Sequence, residues 1–294
     1  MRVAVIDIGS NTVRLLAARA GAAGVPVPIC EQRRQVGLGE EIELRGHIGE
    51  AKLDETARWA ARYAERARRL GCERIDMVVT APGRQSANAG ELLERLADVS
   101  GVEPRVLSAG DEGRLAYVGA VGAAGSLPEL VAVVDVGGGS TEIAFGSSNG
   151  EPEWIDSLDI GSLRLTRRFF SDGRPRRVEV KAARGDVRRL LAEVEEPAPS
   201  GALATGGSAR GLRRLLGRSL DAEGLEQAIE LMTGRTSVKI ARKHRLELRR
   251  ARTLLAGTII LAEVQARLGV PLVVARGGMR EGLAGEALAE RIAA

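Results

Sequence analysis

The sequence predicts an α/β protein made of two similar halves that hold one ligand between them. Two glycine-containing hairpins predict this, one reading DIGSNT from Asp7 and the other DVGGGST from Asp135. In each, a strand ends at an aspartate, and glycine, hydroxyl or amide groups form a tight turn before a second strand. Each hairpin opens a stretch of alternating strands and helices, which is typical of a duplicated α/β fold.

The first hairpin begins at the N-terminus. Asp7 ends the predicted strand Arg2–Ile8, and a returning strand follows over residues 13–20. Its candidate phosphate ligands are Ser10, Asn11 and Thr12. One such turn predicts little by itself, but two in corresponding positions indicate a ligand shared by both halves.

Between the hairpins, the spacing of apolar residues predicts three strands and three helices. The strands are expected at 29–36, 77–80 and 104–108, and the helices at 49–70, within 84–99 and from 112 to about 122. Segment 37–46 is predicted to be a loop. Segment 123–127 consists mainly of small residues and contains glycine, which makes it the best hinge candidate.

The second hairpin, at Leu130–Gly146, combines the features of an anion site and a cation site. Its three central glycines lack a Cβ, so their N–H groups can approach a bound oxyanion and point into one cup. The carboxylates of Asp135 and Glu142 supply the oxygen ligands that a hard cation prefers. A glycine-rich turn with a capping aspartate is the less favoured alternative. The candidate phosphate ligands here are Gly137, Gly138, Gly139, Ser140 and Thr141.

The remaining chain continues the alternation. Strands are predicted at 153–159, 202–205 and 272–275, and helices at 161–170, 180–195, 209–216, 222–268 (broken near Gly234 and Gly257) and 280–294. Segment 171–177 is predicted as a basic loop and 197–201 as a linker. Gly206 and Gly207 come between a strand and a helix, and backbone N–H groups at such a helix start can bind an anion.

Composition limits the class of protein. The 294-residue chain is 44% hydrophobic and 28% charged, as in ordinary soluble proteins. No apolar run approaches the roughly 20 residues of a membrane span, and the first residues do not resemble a signal sequence. Because the sequence has two cysteines and two histidines, neither a disulfide framework nor a zinc site is expected. We expect a cytoplasmic protein with no membrane partner.

The net charge of +4 arises in the second part of the chain. Residues 1–122 hold 17 basic and 17 acidic residues, whereas residues 164–252 hold 22 basic against 11 acidic ones. Such a surface favours a polyanion, with basic decoration of solvated helices as an equal alternative. The chain has only seven aromatic residues on which nucleic-acid bases could stack, so no specific nucleic-acid partner is expected.

Six segments together resemble the exopolyphosphatase and guanosine pentaphosphate phosphatase (Ppx/GppA) family, within the acetate kinase, sugar kinase, Hsp70 and actin superfamily. They are DIGSNTVRLL at 7–16, TAPGRQSAN at 80–88, AGDEGRL at 109–115, VVDVGGGSTEI at 133–143, ATGGSARGL at 204–212 and RGGMREGL at 276–283. The resemblance implies two actin-like (ribonuclease H-like) domains with a cleft between them. We place them at residues 1–122 and 123–279, with the final helix, 280–294, packing back on the first domain.

The resemblance also implies metal-dependent hydrolysis of a terminal phosphoanhydride, with Mg²⁺ as the metal. By this resemblance Glu112 is the general base, Asp135 and Glu142 hold the metal and orient water, and Asp7 completes the acidic cluster. The further phosphate ligands are Arg84, Gly206 and Gly207. Without the resemblance, Glu112 is more readily explained as an acid favoured by the helix dipole in a first helical turn.

Exopolyphosphatase activity on inorganic polyphosphate is the favoured function. The alternatives are a guanosine pentaphosphate 5′-phosphohydrolase and a non-catalytic binder of polyphosphate or alarmone. A small-molecule kinase of the superfamily is less favoured, because no adenosine pocket motif is recognisable beyond Gly206 and Gly207. A homodimer is an open expectation.

Overall fold

The computed structural model describes residues 1–21, 25–170, 174–194 and 198–290. The chain divides into two compact units, each with one mixed β-sheet and several helices. Unit 1 comprises Met1–Ala123 and the final helix from Met279, and unit 2 comprises Ala124–Gly278. The predicted α/β class is therefore confirmed. Parts of the predicted basic loop, linker and last helix (171–173, 195–197 and 291–294) lie outside the described residues.

Unit 1 is organised around a five-stranded sheet. Its elements are β1 (Arg2–Ile8), β2 (Thr12–Ala20), β3 (Pro26–Gln35), α1 (Leu38–Arg45), α2 (Glu50–Arg69), β4 (Arg74–Val79), α3 (Ala81–Gln85), α4 (Ala89–Ser100), β5 (Pro104–Val106), α5 (Ala109–Gly122) and, from the chain end, the helix Met279–Glu290. The strand order is β3-β2-β1-β4-β5. β1 pairs antiparallel with β2 and parallel with β4, so the first predicted hairpin forms the centre of the sheet.

Apolar clusters cover both faces of this sheet. Alternate residues of β1 point to opposite faces and so belong to different clusters. Ile6 and Ile8 belong to an apolar cluster with α2 and α4 residues. Val5 belongs to a second cluster with residues of α5 and of the final helix. This helix approaches α5 closely at Gly282, where a Cβ would collide with the backbone carbonyl of Leu115. The final helix thus packs on the first sheet.

Unit 2 repeats this plan. Its elements are β6 (Leu130–Val136), β7 (Thr141–Ser147), β8 (Pro152–Leu158), α6 (Ser162–Phe169), α7 (Arg177–Leu191), β9 (Gly201–Thr205), α8 (Gly206–Leu216), β10 (Ser219–Leu220), α9 (Ala222–Met232), α10 (Ser237–His244), α11 (Leu248–Leu268) and β11 (Leu272–Val274), followed in the chain by the final helix, α12 (Met279–Glu290) of unit 1. The strand order is β10-β11-β9-β6-β7-β8. The order β3-β2-β1-β4-β5 of unit 1 therefore reappears as β8-β7-β6-β9-β11, with the same parallel and antiparallel pairings.

The expectation of a loop at 37–46 is wrong, since this segment contains helix α1. Glycines with positive φ flank the helix at Gly37 and Gly46. Because glycine is typical of loops, the sequence pattern favoured a loop here. Leu38 and Ile42 are buried four residues apart, which is the spacing of one helical face.

The expectation of a helix break near Gly257 is also wrong. The residue lies inside the continuous helix α11, whereas the break near Gly234 does occur between α9 and α10. A Cβ at Gly257 would collide with Ser208 of α8, so glycine here permits close packing of two helices. The glycine is therefore explained by a tertiary contact and not by the end of a helix.

The described part of the chain contains no helix that combines the length and hydrophobicity needed to cross a membrane.

Candidate functional site

Sheet register places the predicted acids of unit 2 side by side. Asp135 of β6 lies directly opposite Glu142 of β7, and Glu142 lies opposite Ser157 of β8. Residues that are directly opposite in an antiparallel pair project from the same face of the sheet, about 5 Å apart at Cβ. Glu142 is 1% exposed, and its Oε1 accepts a hydrogen bond of 3.1 Å from the Ser157 hydroxyl. The two carboxylates are thus positioned by strands and not by a loop.

The glycine turn of unit 2 is anchored through its carbonyl groups. The carbonyl of Gly137 accepts hydrogen bonds from the backbone N–H and the hydroxyl of Ser162, at 2.9 and 3.0 Å. The carbonyl of Gly138 accepts one of 3.0 Å from Leu163 N–H. Because a trans peptide directs C=O and the following N–H in opposite directions, the N–H groups of Gly138 and Gly139 point away from α6. Such successive amide groups form an anion-binding concavity.

The two hydroxyl residues of this turn differ in their surroundings. Thr141 is fully buried, and its hydroxyl donates a 2.6 Å hydrogen bond to the carbonyl of Ile160. To bind phosphate through this hydroxyl, Thr141 would have to give up that bond. Ser140 is 5% exposed, and its carbonyl closes the turn by accepting a 3.0 Å hydrogen bond from Gly137 N–H.

The start of α8 lies against Asp135 of this acidic pair. Gly206 has a φ of 83°, and a Cβ there would collide with the Asp135 carboxylate. A Cβ on Gly207 would collide with the guanidinium of Arg250, which comes from the start of α11. The fold therefore brings together the Asp135 carboxylate, two predicted phosphate ligands and one arginine. Arg250 was not among the predicted site residues, because its position depends on a helix–helix contact that the sequence pattern does not show.

The β1–β2 turn of unit 1 is also anchored through its carbonyls. Ser10 accepts a 2.7 Å hydrogen bond from Gly39 N–H, and Asn11 accepts one of 3.0 Å from Val36 N–H. By the same trans-peptide geometry, the N–H of Asn11 points away from α1. Ser10 and Thr12 are both 7% exposed. Helix α1, missed in the sequence, is therefore the element that holds this turn.

In unit 1 the aspartate at the end of β1 lies opposite a basic residue. Asp7, 9% exposed, lies directly opposite Arg14 across β1 and β2. Arg14 also donates a 3.1 Å hydrogen bond from Nε to the hydroxyl of Thr12. The corresponding position of unit 2 is occupied by Glu142. Arg14 was likewise absent from the predicted site, although its place in the motif DIGSNTVRLL was visible.

Glu112 and Arg84, predicted separately as base and phosphate ligand, form an ion pair. Arg84 Nη2 lies 2.9 Å from Glu112 Oε2, and their side chains are only 20% and 12% exposed. Arg84 also donates a 2.8 Å hydrogen bond from Nη1 to the carbonyl of Leu107. Glu112 is in the first turn of α5, where the Ser108 side chain caps the helix by accepting from Asp111 N–H. The arginine therefore fixes the orientation of the carboxylate.

The donor set of unit 2 fits a hard divalent cation such as Mg²⁺. The opposed carboxylates of Asp135 and Glu142 are oxygen ligands, and Mg²⁺ is typically bound by one or two carboxylates together with water and substrate phosphates. No group of three His, Cys, Asp or Glu side chains suited to a metal occurs among the residues that the structure describes. The role of Asp7 as a third acid ligand stays a prediction.

Two α/β units with the same strand order, each with a glycine turn at its central hairpin, define an actin-like fold. The sequence profile of the Ppx/GppA phosphatase family matches residues 17–290, and the chain belongs to this family.

Relatives of known name cover most of the chain. Exopolyphosphatase 1 of Mycobacterium tuberculosis is 31% identical over 300 residues, which are 96% of this chain and 87% of the relative. Exopolyphosphatase 2 of the same organism is 36% identical over 205 residues, 67% of this chain and 62% of the relative. The crystal structure of an Aquifex aeolicus Ppx/GppA protein, 30% identical, superposes with a TM-score of 0.85 and covers 99% of this chain and 98% of its own. An exopolyphosphatase from Cytophaga hutchinsonii shares the fold, with 19% identity, a TM-score of 0.89, and coverage of 99% of this chain and 98% of its own.

Proposed function

We propose that this protein is an exopolyphosphatase that releases the terminal phosphate of inorganic polyphosphate by metal-assisted attack of water. The observation that carries the proposal is the Glu112–Arg84 pair, because it presents an oriented carboxylate beside a phosphate-type ligand on the unit that also holds an anion-binding turn. The exopolyphosphatase name of the 31% identical relative, which spans 96% of this chain, supports the same reaction.

In this proposal the two glycine turns bind phosphate oxygens through their backbone N–H groups. The turn at Gly138 and Gly139, the start of α8 at Gly206, and Arg250 bind from unit 2. Asn11 and its neighbours bind from unit 1. Phosphoryl transfer requires mainly positioning and electrostatic stabilisation, since charge develops on the phosphoryl oxygens while the attacking and leaving oxygens stay in line.

Glu112 acts as the general base in this reaction. Its carboxylate accepts a proton from the attacking water as the new P–O bond forms and the bond to the leaving polyphosphate breaks. Arg84 keeps the carboxylate in place and neutralises charge on the terminal phosphate as it approaches. A Mg²⁺ ion bound by Asp135 and Glu142 would neutralise charge on the transferred group and on the leaving chain. We further propose that Asp7 supplies an additional oxygen ligand for that ion.

Guanosine pentaphosphate hydrolysis uses the same groups and is the less favoured alternative, because the relatives of known name described above are exopolyphosphatases. A cytoplasmic location, a homodimer and the absence of a specific nucleic-acid partner belong to the proposal as further expectations. A binder without catalysis is the third possibility, and it is distinguished by turnover.

Phosphate release from polyphosphate and from guanosine pentaphosphate, each with Mg²⁺ and with EDTA, tests the proposal. We expect metal-dependent release mainly from polyphosphate, and a loss of about 10²–10⁴-fold in kcat for Glu112→Gln. The matched control is Asp111→Asn, a change of the same kind on the exposed neighbouring residue, which should retain most activity. Wild-type protein that binds polyphosphate without turnover would make this chain a binder and overturn the proposal.

A further inference from the structure

Strand β3 forms one edge of the unit 1 sheet and is exposed along much of its length. Among the described strands it pairs with β2 on one side, and no strand pairs with it on the other. With ten residues it is the longest strand that the structure describes, and residues 28, 29 and 31–34 are exposed. The outer side of such an edge presents N–H and C=O groups that can pair with a further strand.

The two parts of β3 differ in how well they are protected from such pairing. In the first part, Pro26 and Pro28 lack the N–H that a new strand would need. A β-bulge also interrupts the β2–β3 ladder there, opposite Ala17 and Ala18 of β2. Residues 30–34, which read CEQRR, contain no proline and lie beyond the bulge. This segment is therefore the open part of the strand, and we call it the β3 edge.

The β2–β3 ladder shows which residues of the β3 edge direct their main-chain groups outward. Just beyond β3, Val36 N–H donates a 3.0 Å hydrogen bond to the carbonyl of Asn11 before β2. Hydrogen-bonded and non-hydrogen-bonded pairs alternate along an antiparallel ladder, so residues 34, 32 and 30 also direct N–H and C=O to β2. The N–H and C=O groups of Glu31 and Arg33 therefore point away from the sheet.

The same two residues place an acid and a base on one face of the sheet, because side chains two residues apart in a strand point to the same side. The Glu31 side chain is 55% exposed, and its carboxylate lies 4.0 Å from the guanidinium of Arg280 in α12. The other face is occupied by Arg34, whose guanidinium lies 4.6 Å from the ring centre of Trp59 in α2. The β3 edge thus presents two opposite charges, each beside outward-pointing main-chain groups.

This pattern of charges fits a second copy of the same edge. When two β3 edges pair antiparallel about a two-fold axis at Gln32, Glu31 of each copy lies directly opposite Arg33 of the other. An axis at Glu31 or at Arg33 would instead place like charges opposite each other, which is destabilising. The register at Gln32 forms four main-chain hydrogen bonds, two from each copy, and two pairs of opposite charge. The edge is therefore complementary to itself in one of these three registers.

We propose that this protein forms a homodimer in which the β3 edges of two copies pair antiparallel about Gln32. The pairing joins two five-stranded sheets into one continuous sheet. This inference assigns an interface to the homodimer and does not depend on the proposed enzymatic activity. Because a short segment of each copy forms the shared ladder, the interface is small and the dimer dissociates on dilution.

Charge reversal at the β3 edge tests this interface. Glu31→Arg places like charges opposite each other at both symmetric positions, so the dissociation constant of the dimer should rise about tenfold or more. The double variant Glu31→Arg/Arg33→Glu exchanges the two charges, restores both opposite pairs and should recover dimerisation. The control Glu94→Arg makes the same change at an exposed acid of α4 and should leave the dissociation constant unchanged. Sedimentation velocity over a concentration series measures the dissociation constant, and the urea midpoint of unfolding checks that each variant is folded.

Cross-linking tests the register. In the background Cys30→Ser/Cys72→Ser, which removes both cysteines of the chain, Gln32→Cys places two thiols opposite each other across the axis. Residues in such a non-hydrogen-bonded pair have Cα atoms about 4.5 Å apart, within the range that a disulfide spans. We expect a covalent dimer on a non-reducing gel after oxidation, and none from Glu94→Cys in the same background.

The inference would be overturned by a wild type that stays monomeric at every concentration, by a dissociation constant that Glu31→Arg leaves unchanged, or by a double variant that does not recover dimerisation. None of these results bears on the proposed function. Phosphate release by the wild type is measured separately, and its absence would overturn the proposed function while the interface stands.

Discussion

Replacing Gly257 with alanine tests whether the close contact between α8 and α11 stabilises unit 2. An added Cβ would lie 2.5 Å from the Cβ of Ser208 and would also collide with its hydroxyl. Rotation of the hydroxyl relieves only the second contact, since carbon atoms pack at about 3.5–4.0 Å. The helices must therefore move apart, and overpacking of this kind costs about 1–3 kcal/mol.

Helix propensity acts in the opposite direction, because alanine in place of glycine in a helix interior stabilises by about 1 kcal/mol. With the steric cost at its upper end, Gly257→Ala should lower the free energy of unfolding by about 2 kcal/mol. Urea denaturation followed by circular dichroism measures this change. The control is Gly185→Ala in α7, where an added Cβ meets nothing within 4 Å and should stabilise the protein.

The second variant Ser208→Gly, made in the Gly257→Ala background, removes the colliding atoms and should recover part of the lost stability. Because α8 carries at its start the glycines that we propose as phosphate ligands, Gly257→Ala should also raise KM. Our account of the contact would be refuted if Gly257→Ala were as stable as Gly185→Ala, or if the second substitution gave no recovery.

Three further substitutions have distinct expected outcomes. Gly207→Ala places a methyl group where the Arg250 guanidinium lies, so kcat/KM should fall about tenfold or more while the urea midpoint changes little. Arg84→Lys cannot hold both Glu112 and a backbone carbonyl as a guanidinium does, so activity should fall about 10²-fold with the fold intact. Glu263→Gln removes the charge from a carboxylate that is 4% exposed between two α7 arginines, and should cost about 1–3 kcal/mol of unfolding free energy in urea.

A specific result would contradict each of these three expectations. Full activity of Gly207→Ala would show that the Arg250 position is not used. A stability loss in Arg84→Lys as large as its loss in activity would make the ion pair structural. An unchanged urea midpoint for Glu263→Gln would show that the α7–α11 ion pairs contribute nothing to folding.

The sequence predicted the central hairpins and the repeated α/β order well, because strand runs and turn residues are local signals. Asp135, Glu142 and the intervening glycines are close in the chain, so their grouping required no knowledge of tertiary packing. The pairing of Arg84 with Glu112 could not be predicted, because it depends on how α3 and α5 pack. Arg250 was missed for the same reason. The helix break at Gly257 was predicted wrongly, because the sequence does not distinguish a glycine at a helix–helix contact from a glycine at a helix end.

The opposed pairs at the two hairpins show how the halves of a duplicated protein can divide their labour. Asp7 faces Arg14 in one half, whereas Asp135 faces Glu142 at the matching position of the other. A carboxylate pair in both units would disfavour a polyanion, and an arginine at this position in both units would disfavour a cation. The difference at this single position therefore separates a unit suited to the substrate's charge from a unit suited to its counter-ion. An exchange of Arg14 and Glu142 alone would place the metal preference in the wrong half.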